Sequence, residues 1–292
     1  MKYVLVFISL VLLMTGCSTV AVSDNNNGTT TILNKNTNPV ITEDFLYQIA
    51  QGKVEGASII YKFGAGEVDT SIHPITQSEI YMTPTTAQSL EFVSSSILDT
   101  YLSTGARQIT IIGLNSSWDE VTQVINTSGT TPVQIPIPLT RLYRWYVSSS
   151  GTYATSVTGS HNGVLTIRES GIGDTWSIIP ITPFPIGQSQ ISVFTIPKGK
   201  TGYLLSKNIF TDATKVVDMY MFQRCGLDDT VSPYSGTMRL IEREIGVHGG
   251  FSISFRGGKG PFVGPCDVGF MGEIDVGTAQ VSTEFEMVLL NS

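Results

Sequence analysis

Three histidines, His73, His161 and His248, offer the first route to acid–base chemistry. A serine hydrolase sets its histidine beside a serine that is commonly presented by a Gly-x-Ser-x-Gly turn, and the sequence contains no such turn. His161 lies within Ser-His-Asn-Gly at residues 160–163, and His248 lies within Val-His-Gly-Gly at residues 247–250. Both stretches have the composition of turns, so we expect loop histidines and no nucleophilic site.

Carboxylates offer the second route to chemistry. A glycosidase needs two of them about 5 to 10 Å apart, and a calcium loop needs a spaced D-x-D-x-D-G pattern, which the sequence lacks. We expect surface acids, and we predict no catalytic residue, no metal site and no cofactor. The acids considered are Asp228, Asp229, Glu242, Glu244, Asp267, Glu273 and Asp275.

The three cysteines divide into a single residue and a candidate pair. Cys225 and Cys266 would form a disulfide in an oxidising compartment, and the alternative is two unconnected buried thiols. Cys17 follows an apolar run of about 12 residues and ends Met-Thr-Gly-Cys at residues 14–17, which resembles a bacterial lipobox. Residues 1–17 therefore predict an export leader with Cys17 as the lipidation candidate, destined for the outer membrane. The alternative is a short buried helix or an apolar anchoring tail.

An aromatic cluster provides the candidate for ligand contact. Tyr143, Trp145 and Tyr146 stand close together in one strand-like segment. Flat rings with polar tips suit the faces of sugars, so these residues are a candidate glycan-stacking platform. The alternative is that one side of this strand serves the core.

Composition narrows the classes of partner. Charged residues make up 14% of the chain, against about 25% in typical soluble domains. The formal net charge is -7, and the sequence holds no run of Lys and Arg of the kind that neutralises phosphates. We therefore expect no nucleic-acid partner, and contact with a membrane only through the leader.

The elements that would position these residues are almost all strands. Residues 18–42 are rich in Asn, Thr and Ser and predict a flexible linker, after which a short helical turn fits residues 43–50. Apolar and polar residues then alternate in short runs separated by Gly, Asn and Ser, which is typical of half-buried strands. The Pro-rich stretch 180–187 interrupts this series and marks a boundary. We predict an all-β protein with two β-sandwich or jelly-roll-like domains in tandem, residues 43–185 and 186–292, behind a disordered tether.

Four stretches in a fixed order resemble a family of virion-associated structural proteins of marine tailed phages. They are residues 50–64, 94–100, 104–121 and 195–203. The resemblance spans about residues 44 to 290. It implies a β-rich particle component, such as a head decoration, collar or fibre-like protein, that works as a symmetric oligomer and has no catalytic residues.

Three functions follow from these observations, in order of preference. The first is a phage virion protein, located in the virion, whose partners are itself or other virion proteins and a candidate host-surface glycan. The second is a lipid-anchored outer-membrane lipoprotein that binds a protein or glycan. The third is a secreted carbohydrate-active enzyme, for which the sequence supplies only unpaired carboxylates and aromatics.

Overall fold

The computed structural model describes residues 20–25, 29–34, 44–153, 159–181 and 186–292. The chain divides into two compact units, residues 1–55 and 56–292. The predicted all-β class is confirmed, because strands dominate the described residues.

The part of the first unit that the structure describes forms a hairpin and a short helix. Strand β1 (Val20–Asn25) pairs antiparallel with β2 (Thr29–Asn34), inside the stretch predicted as a flexible linker. The β-branched Val and Thr residues of these strands favour extended chain. The prediction of a linker considered only the polar composition of the stretch. Helix α1 (Phe45–Ala50) begins where the Asp44 carboxylate accepts a hydrogen bond from Leu46 N at 3.0 Å, an ordinary N-cap.

The described residues of the second unit form sixteen strands. They are β3 (Ala57–Val68), β4 (His73–Pro74), β5 (Leu90–Ser94), β6 (Ala106–Leu114), β7 (Glu120–Asn126), β8 (Val133–Gln134), β9 (Arg141–Ser150), β10 (Leu165–Glu169), β11 (Thr175–Ile179), β12 (Val193–Ile196), β13 (Lys200–Thr211), β14 (Val217–Cys225), β15 (Arg239–Val247), β16 (Gly250–Val263), β17 (Cys266–Glu273) and β18 (Ala279–Asn291).

Strands β5 to β11 form what we call the N-terminal sandwich. One sheet has the order β11-β10-β5-β8 and the other has the order β7-β6-β9. Leu90 and Phe92 of the first sheet belong to the same buried cluster as Ile109, Ile111 and Trp145 of the second. The alternating pattern of the sequence thus turns one face of each sheet into a shared core.

The remaining strands form the C-terminal sandwich. One sheet has the order β12-β17-β14-β15, with β4 also paired to β17, and the other has the order β16-β13-β18-β3. Its core includes Phe194, Met219, Met221, Phe270 and Phe285. Strands β3 and β4 come from the segment that the sequence assigned to the N-terminal domain, yet they pair with β18 and β17. The sheets therefore do not follow the order of the chain, because residues 57–68 and 73–74 pair with strands near its C-terminal end.

Two glycines allow β3 to lie close to neighbouring backbone. A Cβ atom on Gly64 would stand 2.1 Å from Ser192 N, and one on Gly66 would stand 2.3 Å from Thr76 O. No side chain fits at either distance, so only glycine permits β3 to pack at this depth.

Candidate interaction surfaces

Six of the seven acids singled out from the sequence accept hydrogen bonds from donors of the protein itself; they are Asp228, Asp229, Glu242, Glu244, Asp267 and Glu273. The carboxylate of Asp228 accepts a hydrogen bond from Lys198 Nζ at 2.8 Å, and that of Glu273 accepts one from Tyr220 OH at 2.5 Å. Among the described residues, no group of three or more His, Cys, Asp or Glu side chains is arranged to hold a metal ion. In the same part of the chain, no helix has both the length and the apolar character needed to cross a membrane.

Glu242 and Glu244 on β15 contact a fully buried lysine. Lys207 on β13 donates hydrogen bonds to both carboxylates, and Lys259 on β16 donates to Glu242. Burial by itself raises the pKa of Glu242, but the hydrogen bonds from Lys207 and Lys259 outweigh it and leave that pKa below its ordinary value. This charge cluster joins strands of the two opposed sheets. The second carboxylate oxygen of Glu244, Oε2, is buried without a hydrogen-bond partner in the described structure.

Asp267 lies at the junction between the two sandwiches, where it binds Arg141. Arg141 of β9 donates hydrogen bonds to it from Nε at 3.0 Å and from Nη2 at 3.1 Å, and both side chains are 1% exposed. Thr195 Oγ1 donates a further hydrogen bond to Asp267 at 2.6 Å, and Tyr81 OH lies 2.7 Å from that hydroxyl. The guanidinium also lies over the ring of Trp118, 5.1 Å from its centroid. This is a structural ion pair, because every donor and acceptor around the carboxylate faces the protein.

A stretch that carried the family resemblance is organised by one buried carboxylate. Asp99 accepts hydrogen bonds from the backbone N–H groups of Ala106, Asn162 and Gly163 and from the hydroxyl of Ser94, at 2.6 to 2.9 Å. Its side chain therefore gathers the loop after β5, the start of β6 and the loop before β10. All four donors belong to the chain itself, so Asp99 stabilises the positions of these loops.

The two cysteines considered as a pair lie opposite each other on neighbouring strands. Cys225 ends β14 and Cys266 begins β17, and they are partners in the antiparallel ladder. The structure joins them by a disulfide bond. Cys17, the lipidation candidate, lies outside the described residues.

The glycan platform expected on β9 is incompatible with the burial of its rings. Trp145 is fully buried and donates a hydrogen bond from Nε1 to Ser177 Oγ at 2.9 Å, inside the N-terminal core. Tyr143 is buried against Phe194, with ring centroids 4.9 Å apart. Only Tyr146 is half-buried. The stacking hypothesis for Tyr143 and Trp145 is wrong, because β9 faces packed layers at both rings.

An exposed apolar patch lies on and before the outermost strand of the β12-β17-β14-β15 sheet. Strand β15 pairs with β14 on one side and is the last strand of that order. Five large apolar side chains between residues 231 and 245 are each more than half exposed, and we call them the β15 patch. They are Val231, Tyr234, Met238, Leu240 and Ile245.

Comparisons with known proteins give no family. No family model matches the chain, and no curated protein matches it. Among solved structures, the chain has a weak similarity to a structure of infectious bursal disease virus, Gx strain, with 10% identity over 87% of this chain and 74% of that one and a TM-score of 0.24. A VP2 subviral particle of the same virus gives 10% identity over 86% and 74%, with a TM-score of 0.21. Both neighbours are virus-particle structures, and at these scores the likeness assigns neither fold nor function.

Proposed function

We propose that this protein is a non-catalytic structural component of a tailed-phage virion, such as a head decoration, collar or fibre-like protein. It works through contacts with copies of itself and with other particle proteins. The observation that carries the proposal is the β15 patch, a group of exposed apolar side chains on and before the outermost strand of one sheet. The ordered resemblance of residues 50–64 and 94–121 to phage virion proteins points in the same direction.

The state of the carboxylates supports the non-catalytic part. Glu242 and Glu244 form ion pairs with Lys207, and Asp267 forms one with Arg141. A general acid or nucleophile in a glycosidase must instead face a substrate across a cleft. These three acids contribute to holding strands together.

The assembly part rests on the energetics of exposed edges. A sheet edge presents unpaired backbone N–H and C=O groups, and large apolar side chains beside it add favourable area for burial. Leu240 and Ile245 are 56% and 67% exposed on β15 itself. Association through this edge in a closed symmetric assembly would cover both the backbone groups and the apolar atoms.

The test is the oligomeric state of the full chain by light scattering after size exclusion. We expect an oligomer of the wild type, and we expect the Leu240→Glu and Ile245→Glu double variant to shift toward monomer. Val276→Glu is the matched control, because Val276 is an exposed apolar residue in a turn outside the β15 patch. A wild type that is monomeric at working concentration, or a double variant that assembles normally, contradicts the proposal.

A lipid-anchored outer-membrane lipoprotein is the second candidate, favoured by the lipobox-like residues 14–17. Mass spectrometry of the mature N-terminus separates the two functions. An intact Met1 in purified particles rejects the lipoprotein, whereas a diacylated Cys17 in membrane fractions rejects the virion protein.

A further inference from the structure

We propose that an open depression on the outer face of the β16-β13-β18-β3 sheet binds a neutral hexose unit of a glycan. The depression has a volume of about 320 Å³, within the range of small-molecule sites. It lies in the C-terminal sandwich, on the opposite sheet from the β15 patch. The proposal adds a ligand to the protein and does not depend on whether the chain assembles.

Strand register gathers the lining residues into two rows. Tyr61 on β3 pairs with Glu286 on β18, which pairs with Ser206 on β13. One step along the same face, Phe63 pairs with Glu284, which pairs with Asn208. Because alternate residues of a strand share a face, these six side chains project from the same side of the sheet.

The aromatic edge of the depression supplies the apolar contact. Tyr61 is 67% exposed, and Phe63 beside it is half-buried. A pyranose ring presents a face of C–H groups, which packs on a flat aromatic ring. Burying an exposed ring against such a face also removes apolar area from water.

The polar centre supplies acceptors that suit sugar hydroxyls. Glu286 accepts a hydrogen bond from Ser206 Oγ, and Glu284 accepts one from Asn208 Nδ2, both at 3.3 Å. These are long contacts, and each carboxylate has capacity for several hydrogen bonds, so acceptor positions remain for ligand hydroxyls. The Tyr61 hydroxyl is also bonded to Glu286, which raises the pKa of Tyr61 and keeps this ring neutral.

The buried Lys62 holds β9, which carries Arg144, at the side of the depression. Lys62, inward-facing between Tyr61 and Phe63, donates a hydrogen bond to the backbone carbonyl of Tyr143 on β9. This bond holds β9 beside β3 and sets the exposed Arg144 at the margin of the depression. Lys62 also lines the depression, but burial lowers its pKa well below the ordinary value. The Glu284 and Glu286 carboxylates therefore outweigh the Arg144 guanidinium, which favours neutral over anionic sugars.

The experiment is saturation-transfer NMR and calorimetry on the full chain with maltose, cellobiose, lactose, mannobiose and chitobiose, and with sialyllactose as the anionic counterpart. We expect at least one neutral disaccharide to bind saturably, with a Kd on the order of 1 mM or tighter, and more tightly than sialyllactose. Tyr61→Ala and Glu284→Gln should each weaken that binding about tenfold or more. Tyr101→Ala, an exposed tyrosine in the N-terminal sandwich, should leave it unchanged.

We expect circular dichroism to show that each variant is folded, because Tyr61 and Glu284 are exposed positions of the sheet. The proposal is overturned if none of the neutral sugars binds saturably, if sialyllactose binds more tightly, or if Tyr61→Ala and Glu284→Gln bind like the wild type. Light scattering of the same samples reports on assembly separately, so a lost glycan site and a lost oligomer are distinguishable.

Discussion

Arg141 and Asp267 form a bidentate ion pair across the junction of the two sandwiches, and each side chain is almost completely removed from solvent. Arg141 starts the long strand β9, and Asp267 lies near the start of β17. The planar guanidinium matches the geometry of the carboxylate, and its Nη1 group donates to the carbonyls of Pro84 and Thr140. The junction is thus specified by charge and by directed hydrogen bonds in addition to apolar packing.

Replacing Arg141 with Met should lower the free energy of unfolding by about 3 to 5 kcal/mol, because Asp267 is left as a buried and uncompensated charge. Arg243→Met is the control, since Arg243 bonds the partly exposed Asp218 at 3.2 Å and surface pairs are worth about 0 to 1 kcal/mol. Urea unfolding followed by tryptophan fluorescence measures both. Equal losses in the two variants would show that the junction does not depend on the buried pair.

Asp99→Ala should destabilise the protein by about 3 kcal/mol or more, since four donors lose a charged acceptor and become unsatisfied. Asp99→Asn should fall between the wild type and the alanine variant, because the amide keeps one acceptor oxygen. Asp174→Ala is the control, as Asp174 is an exposed loop acid. Denaturant unfolding of the three variants checks this order, and a neutral Asp99→Ala would contradict the organising role of the carboxylate.

The stability of the C-terminal sandwich should depend on pH through Glu242. The folded-state pKa of Glu242 lies below its ordinary value, so the stabilisation is fully present above the unfolded pKa of about 4.3 and is lost as the pH falls through the folded pKa. Measuring unfolding between neutral pH and the acid range should show this decline. Glu242→Gln should flatten it, whereas Glu55→Gln, at an exposed acid before β3, should leave the decline unchanged.

The sequence predicted the strands well and their partners poorly. The alternation of apolar and polar residues is a local signal, and it correctly indicated a chain built of strands such as β7, β11 and β18. The pairing of β3 with β18 joins the beginning and the end of the unit, and no local pattern encodes it. That pairing places residues 57–68 in the C-terminal sandwich.

The buried cations were beyond sequence reasoning for a related reason. Arg141 and Lys207 occupy strand positions where a charged residue ordinarily predicts a solvent-facing side chain. Their carboxylate partners lie far along the chain, with a sequence separation of 126 between Arg141 and Asp267. The open sheet face around Tyr61 and Glu284 was equally hidden, since it exists only once β3, β18 and β13 are in register.

Preventing the disulfide between Cys225 and Cys266 should cost about 2 to 4 kcal/mol, because the bond closes a loop between residues separated by 41 positions. Thermal unfolding of the Cys225→Ser and Cys266→Ser double variant against the wild type measures the loss. Thiol titration of the denatured, unreduced full chain with its leader retained should find one reactive thiol of the three cysteines, that of Cys17. Three reactive thiols would show that the bond does not form.

Trp145 and Tyr146 are neighbours on β9 that should respond very differently to truncation. Trp145→Ala removes a fully buried indole from the N-terminal core and should cost about 3 to 5 kcal/mol. Trp145→Phe keeps most of the apolar volume but loses the hydrogen bond to Ser177, so its cost should be smaller, with about 1 kcal/mol of it from that bond. Tyr146→Ala acts on a half-buried ring and should cost less than Trp145→Ala.

The free energies of unfolding of the three variants, measured with denaturant, check this order. A nearly neutral Trp145→Ala variant would place the indole outside the core and reopen β9 as a sugar-contacting strand, whereas the expected order leaves the face around Tyr61 as the site to test.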